Sequence, residues 1–240
     1  MESADYLCYP SVLSRAAETG LSTGVLTAKK KLLKLLALDA DYALAAEEPD
    51  GEMVGQVGSP EDIYSPEINL WLLRALRHLL RERDPDLVYC ATTDGMMHKY
   101  APDEGASIRR VAGMDVILGD ILADNPDREV YLTADHGMSA KVWAVDLEKA
   151  LRARGIGARA IPIIKDRYVA HHRNLGGASY VYLDQPPQAQ DAREALLEVS
   201  GVEEVHPRAD AAAIFHLMPE RIGDLFVLAD ADTVFGEFEE

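Results

Sequence analysis

Two short apolar runs constrain this chain more than anything else in it. Leu87-Val88-Tyr89-Cys90-Ala91 and Val130-Tyr131-Leu132-Thr133 are apolar without alternation, the pattern of strands covered on both faces. Each leads directly into a polar cluster. The first is Thr92-Thr93-Asp94-Gly95-Met96-Met97-His98, the second Thr133-Ala134-Asp135-His136-Gly137-Met138. Amphipathic stretches separate these runs, so the chain reads as α/β: a mostly parallel sheet flanked by helices.

The remaining elements fit that frame. Ser11–Gly20 predicts a short helix, Thr23–Thr27 a strand, Lys29–Leu36 a helix and Asp41–Ala46 a strand. Gly51, Gly55, Gly58 and Pro60 predict a loop over Asp50–Asp62. Ser65 before Pro66 predicts a capped start for a helix over Glu67–Arg83, with a hydroxyl at the cap and proline in the first turn. Glu104–Ala123 and Asp146–Arg154 predict further helices, the latter closed by Gly155. From residue 157 the texture changes. Ala158–Ile164, Ala178–Leu183, Val202–Val205 and Leu225–Leu228 read as strands, Gln188–Ser200 and Ala209–Phe215 as helices. The expected organisation is an α/β core over 1–156, a small α+β cap-like subdomain over 157–230 and a tail over 231–240.

Composition narrows the function classes. The formal net charge of −17 argues against a surface that coats nucleic acid and is compatible with divalent cations. No apolar run approaches the roughly 18 residues of a membrane span. The start lacks a signal-peptide pattern, and Cys8 and Cys90 do not make a disulfide framework. Cys90 reads as a buried free thiol, and a reducing cytoplasm is the default compartment.

In open α/β sheets, ligands bind at the carboxyl ends of strands, where both polar clusters fall. Asp and His are ligands that catalytic Zn²⁺ accepts. Asp94 and His98 are four apart, so one turn can aim both at one ion. Asp135 and His136 are adjacent, and Gly137 permits a turn that lets them converge. Taken singly, an Asp-Gly after a strand is usually a turn and a lone His a structural residue. All four are expected in one cluster at the carboxyl edge of the sheet. Lys29-Lys30-Lys31 follows the Thr23–Thr27 strand and fits either an anion site or a solvated first helical turn. The pair His171-His172 is a weaker candidate; His78 reads as a surface residue, His206 and His216 as structural.

Together these segments resemble the alkaline phosphatase superfamily, and within it the phosphonoacetate hydrolases and nucleotide pyrophosphatase/phosphodiesterases. The resemblance runs through VLTAKKKLLKLL (25–36), DLVYCATTDGMMHKYAPDEG (86–105), YLTADHGMSAK (131–141), DRYVAHHRNLGGASYVYLD (166–184) and PERIGDLFVLAD (219–230). The Asp-x-x-x-His and Asp-His-Gly-Met combination carries it, and Thr-Ala-Lys-x-Lys points to phosphonoacetate hydrolase. Asp-His-Gly-Met also favours the phosphodiesterase-like branch over the phosphomutases.

The resemblance implies two zinc ions, one on Asp94 and His98, the other on Asp135 and His136. It implies that Lys29 and Lys31 hold the anionic groups of a small phosphonate or phosphodiester substrate. The family's strand with a metal-binding Asp, its Thr or Ser nucleophile and its late metal-binding His have no counterpart in these 240 residues. The expectation is therefore an incomplete core, with two of three side-chain ligands at each ion. A metal-dependent hydrolase is the first reading. The alternative is a catalytically incomplete relative acting as a metal- or anion-binding or interaction module. An outer strand left unpaired would expose a sheet edge, which admits a homodimer.

Overall fold

The computed structural model describes residues 9–137, 139–162 and 176–236. The chain folds as two compact units, residues 1–138 and 139–240.

The first unit is built on a parallel sheet. Its strands are β1 (Thr23–Thr27), β2 (Tyr42–Ala45) and β3 (Leu87–Ala91), ordered β2-β1-β3. Gly24 to Thr27 of β1 run in register with Tyr42 to Ala45 of β2, and Thr23 to Thr27 with Leu87 to Ala91 of β3. Every residue of the central strand β1 is buried, as expected of a strand covered on both faces. Gly24 lets a helix pack closely there: a Cβ would meet Leu79 Cδ2 at 3.2 Å, so that side chain would have to shift. The helices are α1 (Val12–Glu18), α2 (Lys30–Leu36), α3 (Gly51–Val57), α4 (Ile68–Arg83) and α5 (Gly105–Asp124). In α4, Ile68, Trp71, Leu72, Ala75 and Leu79 recur at helical spacing and fill the core with Leu26 of β1, Leu44 of β2 and Met53 of α3. Arg77 of α4 forks to Asp120 and Asp124 of α5, both at 2.6 Å. Gly113 lets α5 approach, since a Cβ there would meet Leu70 at 3.2 Å.

Three expectations in this unit are corrected. The glycine-rich stretch after Asp50 contains a helix, α3. Its end is satisfied because Asp50 accepts the Met53 N–H at 2.6 Å, and Met53 is buried. Ser65 does not cap α4. The helix starts after Glu67 without a side-chain cap, and the buried Ser65 hydroxyl has no partner. Val130–Thr133 is not a strand. Among the described residues no strand lies beside it to supply ladder hydrogen bonds, and Tyr131 and Leu132 are 88% and 79% exposed. Among the described residues β3 has β1 on one flank and nothing on the other.

The second unit contains a parallel pair, β4 (Trp143–Val145) with β9 (Thr233–Phe235), and an antiparallel sheet. That sheet has the order β5 (Ala158–Pro162), β6 (Ala178–Leu183), β8 (Leu225–Ala229), β7 (Val202–Pro207). Its helices are α6 (Leu147–Arg152), α7 (Ala189–Leu197) and α8 (Arg208–Phe215). The first two pack with the sheet through Leu147, Leu151, Val181, Leu196, Leu225, Val227 and Phe235. The division at 138/139, against the expected 156/157, follows from this core: α6 belongs to it. So does Phe235, in the stretch expected to be a tail. The chain is thus mixed α/β, with a parallel sheet and flanking helices in its first unit and an α+β arrangement in its second. No helix among the described residues is long and apolar enough to cross a membrane.

Candidate metal- and anion-binding site

The turn after β3 is held from both sides. Met96, 2% exposed, anchors it in the core, and the Met97 N–H donates to Asp94 O at 2.7 Å. Asn69, in the first turn of α4, donates Nδ2 to Thr93 O at 2.8 Å and accepts the Thr93 N–H at 3.0 Å. Arg110 of α5 donates Nη2 to the same carbonyl at 2.6 Å. The turn delivers Asp94 and His98 to one another: His98 Nε2 stands 3.0 Å from Asp94 Oδ2. His98 Nδ1 is buried and has no hydrogen-bond partner among the described residues. Asn69 and Arg110 were not singled out from sequence. Each is a polar residue at a core-facing position of its helix, but nothing local ties either one to the turn.

Asp135 and His136 lie in exposed chain, following from the missing strand at Val130–Thr133. His136 Nε2 is 3.6 Å from Asp135 Oδ2, and its Nδ1 contacts Gly137 O at 3.0 Å. Among the described residues no three His, Cys, Asp or Glu side chains gather in a group able to hold a metal. Within that span Asp94 lies against His98 and Asp135 against His136, as two pairs. His171 and His172 lie outside the described residues.

The three lysines are not equivalent. Lys29 occupies the N-cap position of α2, at the carboxyl end of β1. The Lys30 ammonium pairs with Glu48, and its N–H donates to Glu47 Oε2 at 2.8 Å. The exposed side chains of Lys29 and Lys31 have no hydrogen-bond or ion-pair partner among the described residues. They remain cations at a strand end, in an acidic protein, with their charge uncommitted.

Cys90 is a free thiol in β3, and burial pushes its pKa up to about 12. It is inert at neutral pH, since the thiolate is the reactive form.

Similarity to known proteins agrees with this layout. The family model for type I phosphodiesterase / nucleotide pyrophosphatase matches residues 16–239. Phosphonoacetate hydrolase from Sinorhizobium meliloti 1021, solved in complex with phosphonoacetate, is 28% identical with a TM-score of 0.85; the match covers 100% of this chain and 63% of that one. Its complex with phosphonoformate matches with a TM-score of 0.86. Murine ectonucleotide pyrophosphatase / phosphodiesterase 5 shares the fold at 14% identity and a TM-score of 0.58, over 96% of this chain and 57% of that one. The chain thus spans less than two thirds of the length of these structures. With its family match running almost end to end, the chain belongs to the type I phosphodiesterase / nucleotide pyrophosphatase family of the alkaline phosphatase superfamily.

Proposed function

We propose that the chain carries the cation- and anion-binding residues of a zinc-dependent hydrolase that cleaves the C–P bond of a small phosphonate. The observation that carries this reading is the convergence of His98 Nε2 and Asp94 Oδ2, 3.0 Å apart, at the end of a parallel strand. An imidazole nitrogen and a carboxylate oxygen held this close are near enough to share one cation in place of their mutual contact. Their oxygen and imidazole chemistry is that of catalytic zinc. His98 Nδ1 is buried and, among the described residues, is not tied up by a hydrogen bond. Asp94 and His98 would hold one ion. Asp135 and His136, both exposed, would serve the other. Bound zinc supplies polarisation of a phosphoryl oxygen and neutralisation of developing charge. The uncommitted Lys29 and Lys31 orient and offset the anionic groups of the substrate. The likeness to a hydrolase solved with phosphonoacetate supports that substrate class.

A second reading, a metal- or anion-binding module without turnover, is favoured by one observation. Each pair offers two side-chain ligands, and catalytic zinc normally has three from protein.

The deciding experiment titrates the chain with Zn²⁺ and follows release of phosphate and acetate from phosphonoacetate. Turnover that is lost in Asp94→Asn supports the first reading. Zinc uptake without turnover supports the second. No zinc uptake defeats the first reading and the metal-binding form of the second.

A further inference from the structure

A polar knot lies directly behind the Asp94–His98 pair. Asn69 is fully buried, Thr93 is 9% exposed and Arg110 is 5% exposed. Both hydrogen-bonding groups of Thr93's backbone are used. Its N–H goes to Asn69 Oδ1, and its carbonyl accepts from Asn69 Nδ2 and Arg110 Nη2. The backbone immediately before Asp94 is therefore fixed from two helices.

Arg110 is the unexpected member. A buried guanidinium is costly unless paired and hydrogen-bonded. Here Nε and Nη1 are buried without partners. An apolar side chain would fill the same space between α4 and α5 without that cost. Burial opposes the charged guanidinium, and the Asp94 carboxylate favours it. Arg110 thus couples to the candidate metal pair twice, through the Thr93 carbonyl and through the charge of Asp94.

We propose that Arg110, with Asn69, is a positioning residue that holds the Asp94–His98 turn in the orientation able to take a cation. This rests on the reading of Asp94 and His98 as metal ligands. Groups behind the ligands set ligand direction in metal sites, and their loss typically weakens metal binding by about 10–100-fold. The clamp is of that kind, acting on the backbone that precedes the ligand rather than on the ligand itself.

The test measures Zn²⁺ affinity of the 240-residue chain by competition with a chromophoric chelator, and the visible spectrum of the Co²⁺-loaded chain. Thermal unfolding of the metal-free protein is followed alongside. The variants are Arg110→Met, Arg110→Lys and Asp94→Asn. Arg110→Met is expected to weaken Zn²⁺ binding by about 10–100-fold and to alter the Co²⁺ spectrum, with the metal-free unfolding temperature kept or raised. Arg110→Lys, which keeps the charge and one donor, is expected to recover part of the affinity. Should Arg110→Met bind Zn²⁺ within twofold of the parent while Asp94→Asn does not bind, the positioning role is wrong and the ligand assignment stands. Should Arg110→Met fail to fold, Arg110→Lys decides: parent-like affinity and spectrum overturn the proposal, weakened binding at an unchanged unfolding temperature upholds it. A parent chain that takes up neither ion overturns this proposal together with the ligand assignment.

Discussion

His98 presents Nε2 to Asp94 Oδ2 at 3.0 Å across a single turn, and its other ring nitrogen is buried without a partner. The relationship follows from an i, i+4 spacing in a turn that starts at the end of a parallel strand. It gives direct consequences for the two residues. Asp94→Asn and His98→Asn should each lower Zn²⁺ affinity by more than the roughly 10–100-fold typical of residues that only orient a ligand. Chelator competition measures this, and unchanged affinity in both variants would remove the pair from the site.

The lysines predict a graded response to anions. Lys29→Gln and Lys31→Gln should each weaken phosphonoacetate binding by about tenfold, the loss of one charge-assisted contact. Lys30→Gln should leave it nearly unchanged, because Glu48 already holds that ammonium. Titration calorimetry at low salt distinguishes the three. Equal losses in all of them would mean a diffuse surface field rather than a site.

The two tryptophans report on separate units. Trp71 is 2% exposed in α4 and donates to Gly58 O at 2.7 Å, whereas Trp143 is 67% exposed in β4. In a Trp143→Phe background, Leu72→Ala should destabilise the first unit by about 2–5 kcal/mol, since Leu72 is wholly buried. Denaturant unfolding followed by Trp71 fluorescence measures it, and a loss below about 1 kcal/mol would contradict the packing described.

Acid should loosen the start of the sheet. Asp86 accepts from the Ser22 N–H at 2.8 Å and the Ser22 hydroxyl at 2.7 Å, which hold its carboxyl below the usual carboxylate value. A carboxylate with a depressed folded-state pKa contributes stability that is present above its unfolded value, about pH 4, and lost as pH falls through the folded value. Asp124 behaves likewise through the Arg77 fork. Ser22→Ala should raise the Asp86 pKa toward its ordinary value, read by carbon-detected NMR titration. An unmoved titration would show that the Ser22 hydroxyl is not the cause.

Much of this layout was legible in the chain itself, because β1, β3, α2 and α5 rest on local signals: apolar runs, turn residues, helical spacing. The same holds for β6, α7 and β8. What escaped was settled by partners distant in sequence. Helix α3 depends on the Asp50 cap and on Met53 reaching the core, which outweigh the glycines around it. The pair β4 and β9 joins residues some ninety positions apart, beyond any local pattern. Val130–Thr133 has the composition of a buried strand but no strand neighbour among the described residues, and composition alone does not make a ladder. At the site, the turn bearing Asp94 and His98 was readable as a motif. The Asn69 and Arg110 clamp was not, because its members come from helices before and after it and meet only in space.

The free flank of β3 has a consequence for handling the protein. Among the described residues that flank leaves N–H and C=O groups unpaired beside a Tyr89 that is 46% exposed, and such an edge is a template for an extended chain. Two copies meeting at such edges associate by a bimolecular step. Loss of monomer should then be second order in protein, so that doubling the concentration quadruples its initial rate. The shelf life of a preparation becomes a matter of dilution before it is one of temperature.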